Sequence, residues 1–592
     1  MKKVVAELTE MLAPKGLAGQ ITSLWTKHTN ERLPWLAQKK ELRDYIFATD
    51  TNTTSNQALP WKNRTTIPKL CQIRDNLFSN YESALFPNDN WLKWEGSGND
   101  AVTKEKRKAI EAYMKNKVKE SNFVTEIQKL LYDYIDTGNA FYDVEWITES
   151  TVDAETGEII PGYIGPKLTR VSYLDQVFNP IASSYDDSYK ITRYLKTLGE
   201  MIEELDTKPE LSYNREVVMK ARDLRQSIST YSPEDLNKVA AFQVDGFGSL
   251  YDYYSSGYIE ILEFEGSIHD KESNAFKKNV IITVIDRSMV VREARMPSWL
   301  GKSYKGHVGW RYRPDNLYAM GPLDNLVGMQ YRIDHLENAK ADAFDLAIHP
   351  PMVIAGNVEI PDSGWGPDSV WIAGEGGAVT ELGKNLAPIV SADNQIAALE
   401  LKMEEMAGAP KQAMGIRTPG EKTAFEVQTL EMAASRIFQQ KIRHFEINLL
   451  EPALNKMLEL ARRNMDGSDL VRVMDDDIGV VNFLSVTKED ITASGKLRAV
   501  GARHFAAQAT MIQNLVAISN TPIWQQISPH VSTKRLGAMV EDLLNLEQFD
   551  LVSDNIGVLE AAETQQFMSQ GEEDRMVADA TPTEAPEPPK DV

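Results

Sequence analysis

The stretch TAFEVQTLEMAASRIFQQKIRHFEINLLEPALNKMLELARRNM, residues 423–465, decides how this chain is read. It holds no Gly and a single Pro, which suits one helix roughly 60 Å long at about 1.5 Å per residue, well beyond an ordinary globular helix. Phe438, Ile442, Phe445 and Leu449 recur at helical spacing and define a buried stripe. Arg436, Gln439, Gln440 and Arg443 mark the directions that meet water or neighbours. Pro452 removes one backbone donor and crowds the carbonyl of Asn448. Because the apolar pattern resumes at Leu454, Met457 and Leu458, the expectation is a kink and not an end.

Immediately upstream, GAPKQAMGIRTPGEK (408–422) is a loop by virtue of Gly408, Pro410, Gly415, Pro419 and Gly420, and Lys411, Arg417 and Lys422 make it positive. Further back, two helices of unequal length flank a compact insertion. The first, 321–347, starts at Pro322, a favourable first helical position after Gly321. It carries Leu326, Met329, Ile333 and Leu336 on one face and stops at His349, ahead of Pro350-Pro351. The second, 393–407, places Ile396, Leu399, Met403 and Met406 on one face. Between them, 348–392 is Gly-rich with short apolar pieces, MVIAG, SVWIAG and AVTEL, which suit a small β unit. The plan is a stalk with a tip.

The N-terminal part, 1–320, mixes helix and strand. Short helical patterns, ITSLWTKHTNERLPWL and AQKKELRDYIF, precede the polar loop TDTNTTSNQALPWKNRTT, and Ile67–Phe86 reads as a helix. Asp100 is placed to cap a long amphipathic pattern over 101–136, split at Ser121-Asn122. At Gly138 the period becomes alternating, so a strand begins near Ala140. GEIIPGYIGPKLTRVS, GYIEILEFEGSIH and NVIITVIDRSMVVREA are strand-like, with a helical insert over roughly 195–241. YDYYSSGY (251–258) offers rings for base stacking, but Asp252 and the acidic surroundings favour a turn packed by its tyrosines. After the long helix, 466–521 offers short strands in VRVMDDDIGVVNFLSVTKEDITAS, then an amphipathic helix in SGKLRAVGARHFAAQATMIQNLVAIS. Residues 522–570 read as helical, and 571–592, acidic and Pro-rich, as a disordered tail. The fold class is α+β, helix-rich.

Composition narrows the function classes. The 592 residues, 42% hydrophobic and 25% charged, can bury a sizeable core. No run of eighteen apolar residues occurs and the start does not read as a secretory signal, so no membrane span and a cytoplasmic origin are expected. Cys71, the single cysteine, sits in IPKLCQIRDNLF at what reads as a helix core position. A net charge of −22 argues against a broad phosphate-gripping face and leaves room only for local nucleic-acid contact. Asp475-Asp476-Asp477 invites a metal-dependent nuclease reading, but consecutive strand residues point to opposite faces, and a solvated turn explains them better. DGSD at 466–469 lacks the later ligands of a calcium loop. No phosphate loop, dinucleotide fingerprint or HExxH pattern occurs, and His307, His335, His349 and His444 read as structural. No enzyme, cofactor or metal site is expected.

The order of these parts resembles the portal proteins, or head-tail connectors, of tailed bacteriophages, and among them the short-tailed phage type. The resemblance spans roughly 30–550 and rests on NLFSNYESALFPNDNWLKW, on SNF…DTGNAFYDVEW, and on YAMGPLDNL…AIHPPMVIAG followed by TAFEVQTLEMAASRIFQQ…LLEPALNKMLEL. It implies a ring, usually of twelve copies, at one capsid vertex of the virion, assembled in the host cytoplasm, with double-stranded DNA passing through a central channel. On that resemblance the region before 300 is the wing, 321–347 and 393–407 are the stem helices, and 348–392 is the clip. There the large terminase subunit of the packaging motor, and later a head-tail adaptor or tail protein, would dock. Major capsid and scaffold proteins would be further partners. Residues 408–422 become a tunnel loop, 423–465 the long wing helix, 466–521 the return strands and helix of the wing, and 522–570 a crown.

An acidic wall repels phosphate and suits a conduit that must not hold its cargo. Lys411, Arg417 and Lys422 then either face DNA phosphates or serve as solubilising charge. Trp365 and Trp371 either dock a partner or pack inside the clip. The alternative is another virion structural or scaffold protein without a channel.

Overall fold

The computed structural model describes residues 16–47, 62–86, 91–96, 101–152, 159–208, 211–229, 258–299, 301–348, 352–359, 372–381, 387–407, 438–475 and 480–499. Two compact units divide the chain, 1–87 with 91–499 and 88–90 with 500–592, and every described residue belongs to the first.

Helix α1 (Gly16–Ile46) is one element where two short helical patterns were expected, and Pro34 lies inside it. Tertiary contacts on both sides outweigh the local cost of the proline. Arg32 donates to the carbonyls of Tyr173 and Gln176 at 2.7 and 2.6 Å, and Trp35 packs against Tyr173 and Tyr318. Helix α2 (Lys69–Leu85) and strand β1 (Leu92–Gly96) follow. The break at Ser121-Asn122 is real: α3 (Ala101–Glu120) and α4 (Phe123–Asp136) meet at Asn122, whose φ of 55° is left-handed. At Gly138, φ is 75° and a Cβ would lie 2.3 Å from the Gly321 nitrogen, so only glycine fits the turn into β2 (Asn139–Val152).

Strand β2 pairs with β3 (Ile159–Val171) and, further on in the chain, with β9 (Gly306–Gly309). A second sheet, in the order β4 (Gln176–Phe178), β5 (Lys190–Thr197), β6 (Tyr258–Asp270), β7 (Ala275–Ile285), β8 (Met289–Arg295), is antiparallel throughout. NVIITVIDRSMVVREA therefore folds back on itself, at Asp286-Arg287, both with positive φ. Within the expected helical insert, α5 (Leu198–Thr207) begins with a Thr197–Glu200 capping box, and α6 (Arg215–Ser229) follows. Both pack Met201, Val218 and Ala221 against Ile259, Ile261 and Ile285. The start of α1 covers the sheet elsewhere, with Ile21 and Trp25 among Ile191, Leu262 and Phe264.

A short ribbon, β10 (Arg311–Arg313) with β11 (Asn316–Met320), leads to α7 (Val327–Ile348), which begins five residues after the expected Pro322. Residues 322–326 are turns because Asp324 is engaged elsewhere: it accepts the Gly321 N–H at 2.8 Å and pairs with Lys39. The small β unit is present as two nested ribbons, β12 (Met352–Ala355) with β15 (Ala378–Glu381) and β13 (Val358–Glu359) with β14 (Ile372–Ala373). Helix α8 (Ala387–Ala407) starts six residues before the expected 393, because Pro388 is tolerated in a first turn whose N–H groups have no helical partner. Ile396 and Met403 are buried as expected, but Met406 is exposed and Ala407 takes the inward position.

The long helix is helical over 438–445, turns as a π-helix over Glu446–Leu450 and continues as α9 (Glu451–Asn464). Where a kink was expected from Pro452, the chain widens. The Glu451 N–H bonds Glu446 O, five residues back, and this spacing carries the helix across the missing donor. The stripe is buried as read: Phe445, Leu449, Leu454 and Met457 sit in the main core, with Phe445 5.0 Å from the Tyr134 ring and Phe438 5.1 Å from Tyr81. Strands β16 (Ser468–Asp475) and β17 (Val480–Thr487) form a hairpin. Gly495–Ala499, expected as the start of a helix, is instead strand β18, paired with β1 some four hundred residues away. Asn455 of α9 holds it by two 3.0 Å bonds to the Leu497 backbone, and Gly495 lies where a Cβ would strike the Trp94 ring.

Candidate functional site

Helices α7 and α8 pack against each other, and the nested ribbons connect them. Lys340 on α7 bonds Asp393 on α8 at 3.0 Å and Glu337 at 2.7 Å; these carboxylates hold its ammonium above the usual range, Glu337 first. Near the far end of α8, Glu404 takes Lys69 of α2 at 2.7 Å, with both side chains under a tenth exposed. In the ribbons, Gly356 has φ of 78° and a Cβ there would lie 2.3 Å from Gly376 O, while one on Gly377 would lie 2.3 Å from Asn357 O. The glycines of this unit let its backbones touch.

One face of α7 holds a second piece of chain. Gln330, Asp334, Asn338 and Asp342, each four residues apart, bind the non-helical segment 62–67. Gln330 donates to Ile67 O at 2.5 Å, Asp334 accepts from Thr66 Oγ1 at 2.8 Å and Ile67 N at 3.1 Å, and Asn338 bonds both the N–H and the C=O of Thr65. Asp342 accepts the N–H groups of Lys62 and Asn63, each at 2.8 Å. Burial pushes the Asp342 carboxyl up, but those donors more than offset it and hold the pKa below its usual value. Sequence reasoning missed this ladder. Its signal was there in four hydrogen-bonding side chains at a strict four-residue spacing, but nothing local shows what they bind.

The opposite tendency marks the tip-proximal end of α7. Phe344, Leu346 and Ile348 are each more than half exposed, at 54%, 58% and 51%, and Val353, Ile354 and Ile372 on the ribbons are exposed too. Leu401 and Met406, near the far end of α8, are exposed as well. Exposed apolar side chains on this helix pair and its tip suit association, although Ile181, Phe276 and Trp299 elsewhere are exposed to a greater degree.

The strongest cluster of perturbed titratable groups lies elsewhere. Lys305, 1% exposed, contacts Glu263 at 2.5 Å, Glu265 at 2.7 Å and Asp143 at 3.7 Å. Burial raises the Asp143 carboxyl to about 8 against the pull of Lys305, whereas at Glu265 the Lys305 charge and hydrogen bond overcome burial and lower it. Asp143, Glu265 and Lys305 are buried, so this cluster is an ionic clamp between the sheet of β2 and that of β6. His307, stacked 4.6 Å from Phe141 and bonded to Asn139, is pushed down to about 3 by burial and is neutral and structural.

Cys71 is half-buried, not a core residue; its thiol lies 3.8 Å from Asp75, and burial, then Asp75, push its pKa up. Lys411, Arg417, Lys422, Trp365 and Trp371 lie outside the described residues, as do Asp100, His349, Tyr251, Asp476, Asp477 and everything from Val500 onward. Asp475 closes β16 opposite Val480. Among the described residues no group of three or more His, Cys, Asp or Glu is placed to hold a metal, and no helix is long and apolar enough to cross a membrane. A scan against protein-family models finds no match to this chain, and a search of curated proteins finds none either.

Proposed function

We propose that this chain is the portal subunit of a tailed bacteriophage, a ring-forming channel protein at one capsid vertex through which double-stranded DNA is packaged and ejected. The observation that carries the reading is the α7–α8 pair with its nested β ribbons. It sits in chain order between an α+β region and a long core helix, and it leaves large apolar side chains exposed along the pair and its tip. In this reading α7 and α8 are the stem, and the exposed side chains meet a neighbouring subunit. The ribbons form the clip that receives the large terminase subunit and later the head-tail adaptor, while major capsid and scaffold proteins surround the wing. The net charge of −22 on each copy suits a conduit that repels phosphate. The role is mechanical, with no catalytic residue.

Negative-stain electron microscopy of the purified protein, alone and co-expressed with its scaffold protein, tests this. Rings with a central hole and roughly twelve-fold symmetry are expected. A closed oligomer without a hole in both preparations would overturn the reading and favour a solid virion or scaffold component.

A further inference from the structure

A cavity of roughly 480 Å³ opens where the Trp310–Tyr312 segment meets the long helix, lined by Trp310, Arg311, Tyr312, Lys441, Arg443 and His444 among others. In a chain with 86 acidic and 64 basic residues, the described residues of this lining include three basic side chains and no carboxylate. Arg311 and Lys441 lie against the same indole, 5.0 and 4.4 Å from the Trp310 ring centroid, and Lys441 also donates to Trp310 O. Among the described residues no ion pair joins Arg311, Lys441 or Arg443 to an acid, whereas Arg74, Arg170 and Arg287 all have carboxylate partners. The cations depress one another: burial and then Arg311 lower the Lys441 ammonium, and burial and then Lys441 lower His444.

Holding like charges together around a cavity opposes folding unless an anion joins them. We propose that this cavity binds a phosphate oxyanion, with Arg311 and Arg443 as the fork-shaped donors and Lys441 as the point charge. Trp310 is buried with Arg311 and Lys441 over its ring, so the indole organises the cations and does not stack a base. The π turn is part of the site: Ile447 and Asn448, which also line the cavity, belong to the Glu446–Leu450 turn that precedes Pro452. Such turns interrupt helices most often where a function needs the wider geometry. The site does not depend on the ring reading.

Two sources share this chemistry, free phosphate and a nucleic-acid backbone, and titration calorimetry on the full chain separates them. Inorganic phosphate and a short duplex DNA are each titrated into wild type, Arg311→Ala, Arg443→Ala and Arg443→Lys at equal ionic strength. Saturable binding that weakens about tenfold or more in both alanine variants is expected, with Arg443→Lys retaining part of it. If only phosphate behaves so, the source is free phosphate; if the duplex does too and phosphate displaces it, the source is a backbone. Either result supports the site. Absence of saturable binding of both ligands, or binding unchanged in both alanine variants, overturns it. Unchanged circular-dichroism spectra and melting of the variants exclude loss of fold as the cause.

Discussion

Lys69, the first residue of α2, and Glu404, near the end of α8, form a 2.7 Å ion pair with under a tenth of either side chain exposed. The second helix of the pair is thereby fastened to the main core. Removing one partner leaves a buried charge uncompensated, so Lys69→Met or Glu404→Leu alone should cost about 3–5 kcal/mol, and the double substitution distinctly less than the sum. Urea midpoints of the three variants check this.

Phe344 is expected to act between copies. Phe344→Asp should leave circular dichroism and the monomer melt nearly unchanged, because the ring is 54% exposed. It should shift the population toward monomer in light scattering. A variant that assembles like wild type would remove Phe344 from the interface.

The ladder on α7 predicts a protease phenotype. Asp342 holds the backbone of Lys62 and Asn63, and losing those charge-assisted bonds costs about 1–3 kcal/mol of local stability. Asp342→Ala should therefore raise the trypsin cleavage rate at Lys62 and Arg64 by roughly ten-fold, with little change in the global melt. Equal rates would show that the ladder does not hold the segment.

The clamp around Lys305 makes stability depend on pH in two directions. Asp143 keeps its proton to about 8 when folded but only to 3.8 otherwise, so its contribution is full below pH 3.8 and is lost as pH rises through about 8. Glu265 is held below its ordinary 4.5, so its contribution is full above that value and is lost as pH falls through the lowered one. Asp143→Asn should flatten the decline in stability between about pH 5 and about pH 8, and Glu265→Gln should flatten the acid limb. Denaturant midpoints across pH measure both.

Phe445, Leu449 and Met457 were legible as core because helical period alone puts them on one stripe, and the stripe is where the structure buries them. The break at Asn122 and the turn at Gly138 were legible for similar reasons, since they follow from backbone stereochemistry and local periodicity. Boundaries fared worse. The two short patterns expected before the polar loop form the single helix α1, which runs through Pro34, and α8 begins at Ala387, before the expected 393.

What the sequence determined by itself is the set of local elements, the acidic balance and the order of parts, because period, glycine stereochemistry and charge act over a few residues. Tertiary structure alone decided that Gly495–Ala499 is a strand against Leu92–Gly96 and that Gln330, Asp334, Asn338 and Asp342 grip 62–67. It also brought Arg311 beside Lys441 on one indole. Each of those relationships joins groups more than a hundred positions apart in the chain. No local rule encodes such a pairing: the closure entropy of so long a loop is offset only when the rest of the core brings both ends together.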